Sequence, residues 1–230
     1  IHQADFADIP YANYFANLIV SDTLLVTDKL PGKPSEIARH LKPMGGVMLF
    51  GHPGNAAARL AAAAWVSQFG LDEQSTLKNA DGWVMVTRNA LPGAGNWSHQ
   101  YGDSGNTASS PDTRIKGGLG VLWYGDPGPG KMVNRHEGAV GPIAVDGKLF
   151  VQGESSVLAY DAYNGQKLWE YGNPDSLRTG VFQNQNPGNL VAGGGNLFVL
   201  MKDSCLELDG DTGKLVREHK LPDAKGKESY

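Results

Sequence analysis

The chain has 230 residues, of which 40% are hydrophobic and 19% charged, and its formal net charge is -4. This is the composition of a folded globular protein, and it argues against a disordered chain and against a nucleic-acid partner. A single cysteine, Cys205, excludes an internal disulfide and a cysteine-rich metal centre. No apolar run is long enough for a membrane span. No signal peptide is visible, which leaves the compartment open between cytoplasm and periplasm.

Glycine content divides the chain into two parts. Seven of the 31 glycines lie before residue 91, and alanine is concentrated in the earlier part, in the tract at 56–64. Alanine favours helix, whereas frequent glycine marks turns between short strands. We therefore expect two domains, residues 1–90 and 91–230, that meet at the Leu-Pro-Gly-Ala-Gly sequence of residues 91–95.

In the first part, short apolar runs alternate with helical patterns. Continuous apolar runs are typical of strands that are buried on both faces, and Asn55 is a good N-cap for the longer helix. Asp81-Gly82 lies between two β-prone runs and is a strong hairpin signal. The predicted order is strand, helix, strand, helix and hairpin, at residues 18–20, 36–41, 47–50, 57–68 and 75–88. Such alternation predicts a mostly parallel α/β sheet.

Three segments of this part, Asp5–Tyr11, Phe15–Asp22 and Glu36–Val47, resemble class I S-adenosylmethionine-dependent methyltransferases, and a Leu-Lys-Pro-Met-Gly-Gly turn at 41–46 adds to the match. The resemblance covers the second half of that family's domain. It implies a partial Rossmann-like methyltransferase sheet over residues 1–90, in a chain that begins within a domain.

The same resemblance implies a cofactor-binding wall. Asp5 would accept a hydrogen bond from the adenine amino group and Phe6 would pack beside the ring, while Ser21 and Asp22 would lie at the carboxyl end of a strand. The alternative is that Asp5 and Phe6 belong to a frayed loop. The family's glycine-rich loop is missing, so we expect S-adenosylmethionine to bind in a full-length parent and only poorly to this chain. A half sheet also leaves an unpaired edge, from which we expect aggregation or marginal stability.

The second part contains an internal repeat. Leu149-Phe150-Val151 recurs 48 residues later as Leu197-Phe198-Val199, and the aspartate and glycine of a later turn recur at the same spacing, Asp161 and Gly165 as Asp209 and Gly213. Turn signals separate short β-prone runs in each unit, which predicts two antiparallel meanders of about four strands.

The run from Leu158 to Trp169 resembles the PQQ-type repeat of quinoprotein β-propellers, in which the tryptophan docks between blades. The resemblance implies partial β-propeller blades, about two and incomplete, over residues 91–230. Arg217 stands where the second unit should have its tryptophan, so that blade is expected to be degenerate or to have a different neighbour. Together with residues 96–125, the chain resembles large bacterial proteins that join a methyltransferase-like domain to PQQ-like repeats.

Three functions are open at this point. The first is methyl transfer from S-adenosylmethionine in the full-length parent. The second is a non-catalytic binding or scaffold module that presents a propeller surface to a protein partner and has a degenerate methyltransferase-like part. The third, a quinoprotein dehydrogenase, has the least support, and PQQ itself is not expected because a closed propeller needs more blades. No catalytic residue is assigned, and the six scattered histidines predict no metal site.

Overall fold

The computed structural model describes residues 9–71, 75–126, 131, 141–174, 190–201 and 204–222. The chain folds into two compact units. The first comprises Ile1–Ala94 and Thr113–Tyr124, and the second comprises Gly95–Asp112 and Gly125–Tyr230. The segment 113–124 returns to the first unit, where the Thr113 N–H donates to the Gly93 carbonyl across 2.9 Å.

The first unit contains a mixed four-stranded sheet with the order β1-β2-β4-β3. β1 runs parallel to β2, whereas β2 with β4 and β3 with β4 are antiparallel pairs. The β3–β4 turn has positive φ angles of 50° at Asp81 and 85° at Gly82, the hairpin geometry that Asp-Gly favours. The elements are β1 Leu18–Ser21, α1 Thr23–Thr27, α2 Pro34–His40, β2 Val47–Gly51, α3 Ala56–Val66, a 3-10 turn at Ser67–Phe69, β3 Ser75–Ala80 and β4 Trp83–Arg88.

Local chemistry sets the helix ends. α2 begins at Pro34, a residue suited to the first helical turn because it lacks an N–H there. α3 is capped by Asn55, whose Oδ1 accepts from the Ala58 N–H across 3.0 Å. The helices cover one face of the mixed sheet, where Phe50 meets the edge of Trp65 at a ring separation of 5.2 Å.

Arg88 fixes the end of α2 to the mixed sheet. Its Nη1 donates to the carbonyl oxygens of Ala38 at 2.9 Å and Leu41 at 2.8 Å, and its guanidinium lies 4.9 Å from the ring centre of Tyr14. Arg88 is 5% exposed. The Ala38 carbonyl also accepts from the Leu41 N–H at the helix end, so Arg88 adds a second donor there, and this buried cation lies favourably at the negative end of the helix dipole.

The second unit contains two antiparallel four-stranded sheets, which we name the first repeat sheet and the second repeat sheet. Each is a meander in which neighbouring strands along the chain are also neighbours in the sheet, and the register shifts at one corresponding point in each. The first repeat sheet has β5 Ile143–Val145, β6 Lys148–Gly153, β7 Ser156–Asp161 and β8 Lys167–Gly172, and the second has β9 Leu190–Gly193, β10 Asn196–Leu200, β11 Ser204–Asp209 and β12 Leu215–Lys220.

The predicted fold class, a partial Rossmann-like methyltransferase sheet followed by partial β-propeller blades, is wrong. The described residues are mostly β, with three four-stranded sheets and three short α-helices, and among them β1 and β2 form the one parallel pair. The predicted strands and helices of the first part are present, with α1 as a further helix between β1 and α2, but local periodicity does not determine strand direction. In the second part, a propeller is defined by several blades closed around a channel, which two meanders do not establish.

Candidate functional site

Ser21 and Asp22 lie at the carboxyl end of β1, where the sequence placed them. The buried Ser21 hydroxyl donates to Thr23 Oγ1 across 3.1 Å and accepts from the Thr23 N–H across 3.3 Å, so it serves the start of α1. Asp22 precedes the helix without capping it. Asp5 and Phe6, the other two predicted cofactor-binding residues, lie outside the described residues. The cofactor-binding role of all four stays a prediction.

The first unit has an open cavity of about 330 Å³ beside the start of α3. Its polar groups are used in holding the loop: Asn55 Nδ2 donates to Asp28 Oδ1 across 3.0 Å, and His52 Nε2 lies 3.5 Å from the same oxygen. Arg59 and Asp81 at its rim are exposed. Neither Ser21 nor Asp22 lines this cavity. The lining residues are His52, Gly54, Asn55, Ala56, Arg59, Asp81 and Gly82.

Each repeat sheet has the same turn between its third and fourth strands. Asp161 and Asp209 begin these turns, and the Oδ1 of each accepts N–H groups from the residues that follow. Gly165 has φ 73° and Gly213 has φ 68°, in the left-handed region that favours glycine. The backbone bonds match at the 48-residue spacing: Asp161 N to Gln166 O at 2.8 Å and Gly165 N to Asp161 O at 2.9 Å, then Asp209 N to Lys214 O and Gly213 N to Asp209 O, both at 2.8 Å.

Trp169 of the first repeat sheet lies on the turn of the second. Its Nε1 donates to the Gly210 carbonyl across 3.0 Å, and its ring is 5.8 Å from that of Phe150. A Cβ built on Gly213 would lie 2.6 Å from Trp169 Cδ2, so only glycine lets the indole approach this closely. The position of Trp169 therefore joins the two sheets.

The two repeat sheets pack head to tail. Residues on opposite faces of a strand alternate, so each sheet has two faces. We name the face that carries Trp169 in the first sheet, and the 48-residue equivalents of its residues in the second, the front face; the other is the back face. One apolar core joins the front face of the first sheet (Ile143, Val145, Phe150, Val157, Ala159 and Trp169) to the back face of the second (Leu190, Ala192, Leu197, Val199, Leu206 and Leu208).

The front face of the second repeat sheet is the candidate functional site. In the first repeat sheet, the positions that make the front face are buried or, at Tyr171, half-buried against the next sheet. Their equivalents in the second sheet are half-buried, except for Gly193 and Arg217, which are exposed. These equivalents are Val191, Gly193, Phe198, Cys205, Glu207, Arg217 and His219.

A hydrogen-bonded network lies on this front face. Glu207 Oε2 is 2.9 Å from His219 Nε2, and Glu207 Oε1 accepts from Asn196 Nδ2 across 2.7 Å. The hydrogen bond from His219 holds the pKa of Glu207 below its ordinary value, with Asn196 and the charge of Arg217 acting in the same direction. Burial, and then the charge of Glu207, raise the pKa of Cys205. The face therefore carries an ionised carboxylate whose oxygens are already bonded, beside a protonated thiol at neutral pH.

Sequence reasoning found Arg217 as a departure from the repeat but missed the network. Glu207 corresponds to Ala159 and His219 to Tyr171 at the 48-residue spacing, so an apolar position becomes a carboxylate and a phenol becomes an imidazole in the second unit. That comparison could have signalled a changed surface. The contact of Asn196 with Glu207 could not be read from it, because the contact depends on the strand register.

No known protein family's sequence model matches this chain. No curated protein matches it either. None of the helices in the described part of the chain is long and apolar enough to cross a membrane. Within those same residues, no group of three or more His, Cys, Asp or Glu side chains is placed to hold a metal ion.

Proposed function

We propose that the second unit is a non-catalytic binding module and that it holds a protein partner on the front face of its second repeat sheet. One observation carries the proposal. Positions that form the contact between the two repeat sheets recur on this face, where they are half-buried or exposed. A surface with the same backbone arrangement as an existing interface needs little rearrangement to bind a partner.

The composition of this face supports a protein partner. Phe198 and Val191 supply apolar area, and Arg217 supplies an exposed planar cation. Aromatic residues and arginine are enriched in protein–protein interfaces, whereas unpaired charges at the centre of one are costly. The carboxylate of Glu207 is not an unpaired charge, because His219 and Asn196 already bond both of its oxygens.

Methyl transfer from S-adenosylmethionine and quinone-dependent oxidation stay predictions. Methyl transfer was predicted from a mostly parallel α/β sheet, whereas β2, β3 and β4 of the first unit pair antiparallel. No contact among the described residues favours either reaction, and neither is part of the proposed function.

Cys205 gives a direct test, because it is the chain's single cysteine and lies half-buried on the front face. Its rate of alkylation should be lower by about tenfold in extract of the cells that make the protein than for the same polypeptide after purification, since a bound partner shields the thiol. Peptide mass spectrometry resolves the site.

Two variants sharpen this test. Phe198→Asp places a charge in the middle of the face and should remove the protection. Glu218→Ala changes the same strand as Arg217 on its other face and should leave the protection intact. Equal alkylation rates in extract and after purification would contradict the proposed function.

A further inference from the structure

We propose that the front face of the second repeat sheet docks a further sheet of the same 48-residue repeat, and that Arg217 donates a hydrogen bond to the turn of that sheet as Trp169 does to Gly210. The inference rests on the proposed function and names its partner. The occupant is a four-stranded sheet that presents a back face like that of the second repeat sheet, with an Asp-to-Gly turn at its rim.

The contact between the two repeat sheets shows how such a sheet would sit. A front face meets a back face there, so the interface is heterologous and each added sheet presents a new front face. The second repeat sheet has the same strand order, the same turn bonds and the same register shift as the first. A further sheet would therefore pack on the front face of the second repeat sheet as the second sheet packs on the front face of the first.

Three apolar positions of the interface are retained, whereas Gly193 takes the place of Val145. Phe198 occupies the place of Phe150, which is 2% exposed between the two sheets, and Val191 occupies the place of Ile143. Cys205 replaces Val157, a residue that is 0% exposed. Cysteine behaves as a small hydrophobic residue when buried, and its raised pKa keeps it neutral. These three positions can be covered by a back face without burying a charge.

Arg217 can make the bond that Trp169 makes. The indole contributes one N–H donor, a flat ring and contact with the turn backbone. A guanidinium is also planar, offers several N–H donors and is less strongly hydrated than an ammonium group. Turn carbonyls accept such donors. The replacement keeps the donor and the planar shape, and it loses apolar area.

The remaining charges favour a neutral, hydrogen-bonding surface over a charged ligand. Glu207 takes the place of Ala159 and would be buried by docking, which an isolated carboxylate resists. Here His219 and Asn196 bond it, and Arg217 adds a neighbouring positive charge. A free acid or phosphate would have to compete with Glu207 for these partners. A sheet face, with apolar side chains and a carbonyl at its rim, would not.

A tandem chain tests the inference. Residues 175–222 are repeated once after residue 222, in place of 223–230, and the added copy carries valine instead of its cysteine, so that Cys205 stays the single thiol. We expect Cys205 to be alkylated at least about tenfold more slowly in the tandem chain than in the original chain. Circular dichroism should show added strand signal.

Variants of Arg217 in the tandem chain separate docking from the role of the arginine. Arg217→Ala should restore much of the alkylation rate, and Arg217→Lys should restore part of it, because an ammonium lacks the planar fork. Arg217→Trp, the residue of the first sheet, should protect Cys205 at least as well. Each of these substitutions should change the alkylation rate of Cys205 less in the original chain than in the tandem chain. Glu218→Ala should leave the rate unchanged in both chains.

Other outcomes of the alkylation experiments would each contradict one part of the proposal. Unchanged alkylation in both the tandem chain and its Arg217→Trp variant, with the added strand signal present, would show that the face does not dock a repeat sheet. Absence of that signal in both chains would also overturn the inference, because a repeat that docks on its neighbour is stabilised by that contact. Protection with tryptophan but not with arginine would remove the role of Arg217. Protection in cell extract without protection in the tandem chain would leave the proposed function standing and reject this partner. Protection in the tandem chain without protection in cell extract would support docking of a repeat sheet and would contradict the proposed function.

Discussion

Trp169 Nε1 donates a hydrogen bond of 3.0 Å to the carbonyl oxygen of Gly210, so one indole joins the two repeat sheets of the second unit. The indole is 8% exposed and lies directly against the backbone of Gly213. The donor, the ring and the turn that receives it can each be changed alone. Their separate contributions to the stability of the second unit are therefore measurable.

Loss of the Trp169 side chain should be among the most destabilising changes in the second unit. Trp169→Phe keeps an aromatic ring but leaves the Gly210 carbonyl without this donor, and we expect a loss of about 1–2 kcal/mol in the free energy of unfolding. Trp169→Ala removes the ring as well and should cost about 3–5 kcal/mol. Denaturant unfolding followed by circular dichroism measures both. Leu168→Ala, at a neighbouring and 39% exposed residue, is the control. A Trp169→Ala cost no larger than that of this control would contradict the assigned role.

Gly213→Ala should destabilise the chain more than Gly194→Ala. Both glycines have positive φ, 68° and 60°, so both substitutions carry the same backbone strain, about 1–2 kcal/mol. A Cβ at Gly194 meets nothing within 4 Å, whereas one at Gly213 would lie 2.6 Å from Trp169 Cδ2. Overpacking should add about 1–3 kcal/mol at Gly213 alone. In a Trp169→Ala background the two costs should become equal; a persistent difference would mean that another contact is responsible.

The stability of the first unit should fall as the pH is lowered below about 6.5, the ordinary histidine value. His40 is 2% exposed and packs edge-on to Phe15. Burial, and then the charge of Arg39, lower the pKa of His40 in the folded chain. The unfolded chain therefore binds the proton first on acidification, so the His40 contribution is complete above the unfolded pKa and is lost as the pH falls toward the folded one.

Denaturation midpoints across this pH range check the prediction. His40→Gln removes the titrating ring, so the variant should lose part of the decline seen in the wild type. His52→Gln, at the loop beside Asp28, should keep the His40 part of it. The same decline in the wild type and in His40→Gln would assign the pH dependence to other groups.

The edge strand β1 should make the isolated chain self-associate. Leu18 and Val20 are 61% and 60% exposed, and among the described strands β1 pairs with β2 alone. Exposed apolar edge strands pair with other chains, and an edge lysine opposes this. Val20→Lys should lower the sedimentation coefficient at high protein concentration with little change in stability. Leu60→Lys, at a 72% exposed residue of α3, should not. Concentration-independent sedimentation of the wild type would show that β1 does not cause self-association.

The sequence alone determined much of the local structure of the described residues, although it did not predict α1. Turn chemistry identified Asp81-Gly82 and the Asp161 and Asp209 turns, and a side-chain cap identified the start of α3 at Asn55. The 48-residue repeat predicted two four-stranded meanders. These features depend on residues close together in the chain, where φ preferences and short-range hydrogen bonds decide the conformation. Such local patterns do not predict contacts between segments that are far apart in the sequence.

Only the tertiary structure decided strand direction, the fold class and the candidate site. The antiparallel pairing of β2 with β4 and the bonds from Arg88 to Ala38 and Leu41 join segments far apart in sequence, and no local pattern specifies them. The site depends likewise on register, because Asn196, Glu207 and His219 meet only when three strands align. A shift of one residue along a strand would turn each side chain to the opposite face of the sheet. Packing of the apolar core fixes that register, and through it the polar surface.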